Sequence, residues 1–335
     1  MGSTLHLSGF TPSGAPVDEE VWSEDYGQIR RVLGARPQLL SGSSIQPRRV
    51  IREIKSCLKT IDMYGGLIRF CTSHTGLGLK ENDSFFAFAY DWRKSCQVNA
   101  RKLSSFIQEN EEDKDRRIVL VGHSMGGLVC RLALAQDKDL LSRVDSLIQV
   151  GSPVGGSAQS YYSLKNKPQM HRLFDFLWIK NHMRDPSIRA QLLRVVATFD
   201  SLYELLPPKD AHVLMHHQGS MYSATHRDAW DSSIHSKLDQ AESIHETLRD
   251  SADTLSAIIE IVYSDSFPTT NGYLVDDYFD VIRTLRERPS GDQTVSTASA
   301  LASSGACRRH KATKDHVGLV SCPELKEILK EALGR

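Results

Sequence analysis

No stretch of the 335-residue chain approaches the roughly 18 consecutive apolar residues of a membrane-spanning helix, and Met1 is not followed by a basic segment and an apolar core. A bilayer span and a cleavable export signal are therefore not expected, and the sequence by itself points to the cytoplasm. Charge of one sign is missing too. Acidic and basic residues balance at 41 each, with no long run of like charges, so the surface offers no field for nucleic acid or an anionic membrane. The six cysteines (Cys57, Cys71, Cys96, Cys130, Cys307, Cys322) lack C-x-x-C spacing and do not cluster with histidines. This argues against a thioredoxin-like motif or a zinc framework and fits free or buried thiols in a reducing compartment. There is no internal repeat, and nothing in the pattern calls for a metal, a cofactor or a stable protein partner.

What is present is an alternation of strand and helix patterns. Ser84–Tyr90 (SFFAFAY) is short and aromatic-rich, follows the turn-like Glu81-Asn82-Asp83, and predicts a strand. Asn99–Gln108 sets Leu103, Phe106 and Ile107 at helical spacing. Arg117–Val121 predicts a second strand, Met125–Gln136 a second helix, and Val144–Val150 a third strand closed by Gly151-Ser152-Pro153. Strands separated by helices of this length imply a parallel sheet with crossover helices. A helix over Ser233–Leu248, an apolar run Leu255–Tyr263 suited to another strand, and an amphipathic helix over Pro323–Leu333 complete the pattern. From about 155 to 255 the rhythm fails, which predicts a cap or lid insertion within a single domain spanning 1–335. Leu173, Phe174, Phe176, Leu177, Trp178 and Ile179 cluster near its start. They fit either the insertion's own core or a face that meets lipid.

Between the second strand and the second helix stands Gly122-His123-Ser124-Met125-Gly126, a G-x-S-x-G in the strand–turn–helix context that a nucleophile elbow requires. Small residues let the tight turn form, and the turn pushes Ser124 out at the edge of the sheet. The Met125 amide, opening the helix, is then placed to donate to an oxyanion. A serine hydroxyl needs a base and an orienting carboxylate, expected in the order Ser, Asp or Glu, His. His316, in the loop before the C-terminal helix, is a better base than His310, which lies in the basic stretch Arg308-Arg309-His310-Lys311. For the carboxylate, Asp292 in the turn Gly291-Asp292-Gln293 competes with Asp265, and the chain order favours Asp292.

Further landmarks surround these residues: Phe88-Ala89-Tyr90-Asp91-Trp92-Arg93, then VGHSMGGLVCR, then Gly151-Ser152-Pro153-Val154-Gly155-Gly156-Ser157, then Tyr203-Glu204-Leu205-Leu206-Pro207, then GDQTV and DHVGLV. In this order they resemble the lecithin:cholesterol acyltransferase family of α/β-hydrolases. The resemblance implies a mostly parallel central sheet flanked by helices, and acyl-enzyme chemistry on lipid or related esters with water or an alcohol as acceptor. It also implies Ser124 as nucleophile, Asp292 as acid and His316 as base. The chain departs from the family at Gln293, where Gly is usual, and at Ser296, where Pro is usual. The Tyr90–Arg93 stretch reads as an ion-paired corner and stays outside the site.

In the family's pattern an apolar strand runs into Pro-Gly and a donor residue, followed by a stretch similar to Met-Gly-Ser-x-Leu. Met1-Gly2-Ser3-Thr4-Leu5 fits that last stretch, and Glu20-Val21-Trp22 fits the tryptophan-bearing segment after it. The expectation is that the fold's first strand and second oxyanion donor are missing from this sequence and are encoded upstream. A second function class stays open, a weak or inactive relative that binds or scaffolds, because fold alone does not secure activity.

Overall fold

A computed structural model of the chain describes residues 2–10, 16–56, 59–110, 113, 115–165, 186–302 and 305–334. Contacts divide the chain into two compact units: Met1–Lys94 with Lys167–Phe199, and Ser95–Asn166 with Asp200–Arg335.

The first unit is built on β1 (Ser3–Phe10), β2 (Pro16–Trp22) and β3 (Ile45–Val50), an antiparallel sheet in the order β2-β1-β3. Helix α1 (Tyr26–Ala35) starts at Asp25, whose carboxylate accepts the Gly27 amide. A short hairpin, β4 (Glu53–Lys55) with β5 (Thr60–Asp62), leads into α2 (Gly65–Thr72). Asp91 and Arg93 form a buried pair, with Arg93 Nη2 donating to Asp91 Oδ2 at 2.7 Å, and the guanidinium also donates to the carbonyls of Leu40 and Gly42. Trp92 packs edge-on against Trp22, with ring centres 5.2 Å apart. The expected strand at Ser84–Tyr90 is not one. The segment makes an isolated bridge, Glu81 to Phe85, and the Tyr90 amide donates to Ser3 Oγ at 3.1 Å instead of joining a ladder. Its aromatic composition reports packing, not strand pairing.

The second unit carries the parallel sheet. Its strands are β6 (Ile118–His123), β7 (Val144–Val150), β10 (Ile259–Tyr263) and β13 (Arg308–Lys311), in the order β13-β10-β7-β6 and parallel throughout. Helix α3 (Cys96–Asn110) precedes β6, and α4 (Met125–Gln136) with the short α5 (Lys138–Arg143) connects β6 to β7. This is the α/β-hydrolase fold. Among the described residues, every strand of this sheet follows Ser95. Strand β7 is buried at all but one position, as an interior parallel strand covered on both faces must be. Helix α4 is buried almost all round, Arg131 included, so the turn preceding it has little freedom. The edge strand β13 (RRHK) is mostly exposed and basic, which discourages edge-to-edge pairing.

A second, mixed sheet contains β8 (His212–His216), β9 (Met221–Ser223), β11 (Phe267–Val275) and β12 (Val281–Gly291), ordered β12-β11-β8-β9. It packs on Tyr161 of α6 (Ala158–Lys165) and on Tyr203. The cluster Leu173–Ile179 lies outside the described residues.

Glu204, from the Tyr-Glu-Leu-Leu-Pro landmark, is buried and accepts the Cys96 amide at the start of α3 with Oε2 at 2.6 Å. Its carboxyl is pushed up by burial, against the opposing hydrogen bonds from Ser95 and Cys96. A raised carboxyl pKa means that ionisation opposes folding above the unfolded value of about 4.3. Glu204→Ala leaves the helix start unpaired and should cost about 1–3 kcal/mol in urea unfolding at pH 7. Glu204→Gln keeps an acceptor without a buried charge and should cost clearly less; equal losses would show that the hydrogen bond is not what matters.

Candidate active site

Ser124 lies between β6 and α4 with φ 55° and ψ −131°, a conformation that non-glycine residues seldom adopt. Two close approaches hold the turn. A Cβ on Gly122 would come within 2.6 Å of the Gly127 backbone, and a Cβ on Gly127 would meet Ser152 Oγ at 2.0 Å. The Ser124 amide donates to Val150 O at 2.8 Å, tying the turn to the end of β7. Met125 is the first residue of α4, so its amide belongs to the unsatisfied first turn of a helix.

Asp292 follows the end of β12, and His316 lies in the loop after β13. The fold brings them together: His316 Nδ1 donates to Asp292 Oδ2 at 2.7 Å, with the two side chains 6% and 2% exposed. The other carboxylate oxygen, Oδ1, accepts the amides of Thr294 and Val295 at 2.9 and 2.7 Å. The His316 amide donates to the Asp292 carbonyl at 2.9 Å, so backbone and side chain fix the same pair. Burial raises the Asp292 pKa, but His316 and the two amides outweigh it and hold the carboxyl below its ordinary value. An ionised Asp292 only accepts, so the Nδ1 proton stays on His316 and Nε2 is left as the basic nitrogen.

Two residues missed by the sequence reading join the serine turn to this pair. Gly151, directly after β7, has φ +54°, and a Cβ there would sit 2.9 Å from Asp292 Oδ2 and 3.2 Å from His316 Nδ1. Its signal was the Gly-Ser-Pro that closes the strand. His123, the residue before Ser124, donates from Nε2 to the His316 carbonyl at 2.9 Å. The alternatives are engaged elsewhere. Asp265 pairs with Lys311 Nζ at 2.7 Å, and His310 bonds Glu260 Oε2 at 2.9 Å. Gln293 holds φ +82°, a strain on the order of 1 kcal/mol beside the acid. Its amide donates to Thr269 Oγ1 at 3.0 Å, and its carbonyl accepts from Gln159.

Among the described residues one group, His216, His217 and Asp277, gathers three potential metal-donor atoms within 4.8 Å of one another. The Gln218 amide donates to His216 Nδ1 at 3.3 Å, which leaves the Nε2 proton facing Asp277 Oδ1 at 3.1 Å. His217 Nε2 lies 3.6 Å from the same carboxylate oxygen. The five described cysteines, Cys71, Cys96, Cys130, Cys307 and Cys322, are buried free thiols.

Residues 59–218 match the family model for lecithin:cholesterol acyltransferase. The match takes in Ser124 and the Tyr203–Pro207 landmark and ends before Asp292 and His316. An uncharacterized protein of Saccharomyces cerevisiae, YJR098C, is 30% identical over 95 residues, covering 28% of this chain and 13% of that protein. The phosphatidylcholine-sterol acyltransferase of Gallus gallus is 31% identical over 87 residues, covering 24% of this chain and 21% of that protein. The alignments thus span only a small part of either relative. Among solved structures, one from the Tle4–Tli4 complex superposes with a TM-score of 0.62 at 13% identity, covering 99% of this chain and 96% of that one. That likeness concerns the fold alone.

A buried carboxylate with a depressed pKa stabilises the fold above its unfolded value of about 3.9, and the benefit disappears as pH falls through the lower folded value. The stability difference between the wild type and Asp292→Asn, measured by urea unfolding, should therefore be largest at pH 5–7. It should shrink steadily below about pH 4; a difference independent of pH would mean that Asp292 is not ionised in the fold.

Proposed function

We propose that the chain is a serine acyl-transfer enzyme acting on lipid or related carboxylic esters. Ser124 is the nucleophile, His316 the base, and Asp292 the group that orients the base. The observation that supports this most is the coupling of the serine turn to the buried Asp292–His316 pair through two adjacent residues: His123 to the His316 carbonyl, and the Ser124 amide to Val150, next to the Gly151 that abuts the pair.

In this reading Ser124 Oγ attacks the ester carbonyl as its proton passes to His316 Nε2, and the imidazolium that forms is stabilised by Asp292. The carbonyl oxygen takes up negative charge facing the Met125 amide, and the dipole of α4 adds to the stabilisation. Collapse of the tetrahedral intermediate expels the alcohol, which leaves with the proton from His316. The acyl group remains on Ser124. Water or a second alcohol then gives up a proton to His316 and attacks the acyl carbonyl; the acyl–Oγ bond breaks, the proton returns from His316 to Ser124 Oγ, and the acid or a new ester is released. The choice of acceptor depends on how well the site excludes water and positions an alcohol. The five buried free thiols support a reducing compartment such as the cytoplasm. None of the described helices is long and apolar enough to cross a membrane.

On a p-nitrophenyl ester, Ser124→Ala and His316→Ala should each lower kcat by about 10⁴–10⁶-fold, with the double mutant scarcely worse, because the residues act as a unit. Asp292→Asn should lower it by about 10⁴-fold by favouring the wrong imidazole tautomer. Additive losses, or loss of activity in Asp265→Asn with Asp292→Asn intact, would overturn the assignment.

A further inference from the structure

The variable position of the G-x-S-x-G turn is occupied here by a histidine that the proposed acyl-transfer chemistry does not use. His123 ends β6 and is partly buried. Its ring centre lies 4.7 Å from that of His316, tilted by 42°. Its Nε2 stands 2.9 Å from the main-chain oxygen of His316. A carbonyl oxygen can only accept, so the ring nitrogen carries the proton and donates. Burial first, and the neighbouring His316 second, depress the His123 pKa well below the ordinary histidine value, so the ring is neutral near pH 7 and keeps this donor without placing a charge beside the base.

We propose that His123 is a positioning residue: by donating to the His316 carbonyl it fixes the backbone of the catalytic base against the turn that presents the nucleophile. This inference rests on the acyl-transfer reading of the site. The geometry explains why the contact matters. The Asp292 bond fixes the imidazole of His316 at Nδ1, and the Asp292 carbonyl holds the His316 amide. Both constraints come from the loop after β12. Neither refers His316 to β6, the strand that carries Ser124. The His123 bond does so directly, because residues 123 and 124 are covalent neighbours. A displacement of about 1 Å between base and nucleophile costs up to about 100-fold in rate, whereas substrate binding does not depend on it.

The test compares His123→Gln with His123→Met in the full chain. Glutamine's amide nitrogen stands in for Nε2–H, and methionine has similar reach with no donor. Concentrations of competent sites are set by titration with a fluorophosphonate, so that partial unfolding of a variant cancels from kcat. His123→Met should lose about 10- to 100-fold in kcat with KM within about twofold of wild type, and His123→Gln should retain at least about a third of wild-type kcat. Equal kcat in both variants, whether both full or both impaired, or a loss confined to KM, overturns the proposal. Failure of the acyl-transfer reading would look different: fluorophosphonate would not react with Ser124 in the wild type, or Ser124→Ala would keep turnover.

Discussion

The bond between His316 Nδ1 and Asp292 Oδ2 is the contact around which the second unit's loops are arranged. A carboxylate 2% exposed is costly unless its oxygens are satisfied, and here one oxygen takes two amides while the other takes the imidazole. That division of labour requires the chain to turn sharply at Asp292, which the positive φ of Gln293 provides at some strain. It also requires room beside the pair, which Gly151 leaves: a Cβ there would clash with Asp292 Oδ2 at 2.9 Å and crowd His316 Nδ1 at 3.2 Å.

The acid reaches this place by a detour. Strand β10 ends at Tyr263, and the chain then makes the β11–β12 hairpin in the second sheet before returning at Asp292. Thr297 Oγ1 donates to Ser264 O at 3.2 Å and Gln293 N to Thr269 Oγ1 at 3.0 Å, closing the hairpin's base onto the end of the parallel strand. The carboxylate therefore serves the parallel sheet without belonging to it. The Glu204 carboxylate works similarly at a distance, capping the helix that precedes β6.

The parts of this arrangement legible in the sequence were those written locally. Met125–Gln136 and Val144–Val150 have the bounds their patterns predicted, and strand, glycine turn and helix sit next to one another around Ser124. Strand β12 (VIRTLRERPSG) was not legible, because its charges hide the alternation and its partners come from far along the chain. Gly272 on β11 looks like a strand breaker, yet a Cβ there would lie 2.2 Å from Val213 O, so it marks a close strand approach. Ser84–Tyr90 failed in the opposite sense, with strand-like composition and, among the described residues, no sheet partner beyond one bridge. Chain order favoured Asp292 over Asp265, and the loop before the C-terminal helix favoured His316 over His310, but the contact of His123 with the pair depends on folded geometry and had no separate signature.

The account turns on Ser124 being the residue that carries the acyl group. Intact-mass spectrometry of the full chain after reaction with a fluorophosphonate, followed by peptide mapping, measures this directly. The account predicts one adduct per chain, located on Ser124, with ester turnover falling in proportion to labelling. Turnover that persists when Ser124 is fully labelled, or a single adduct on another residue that abolishes turnover, would contradict it.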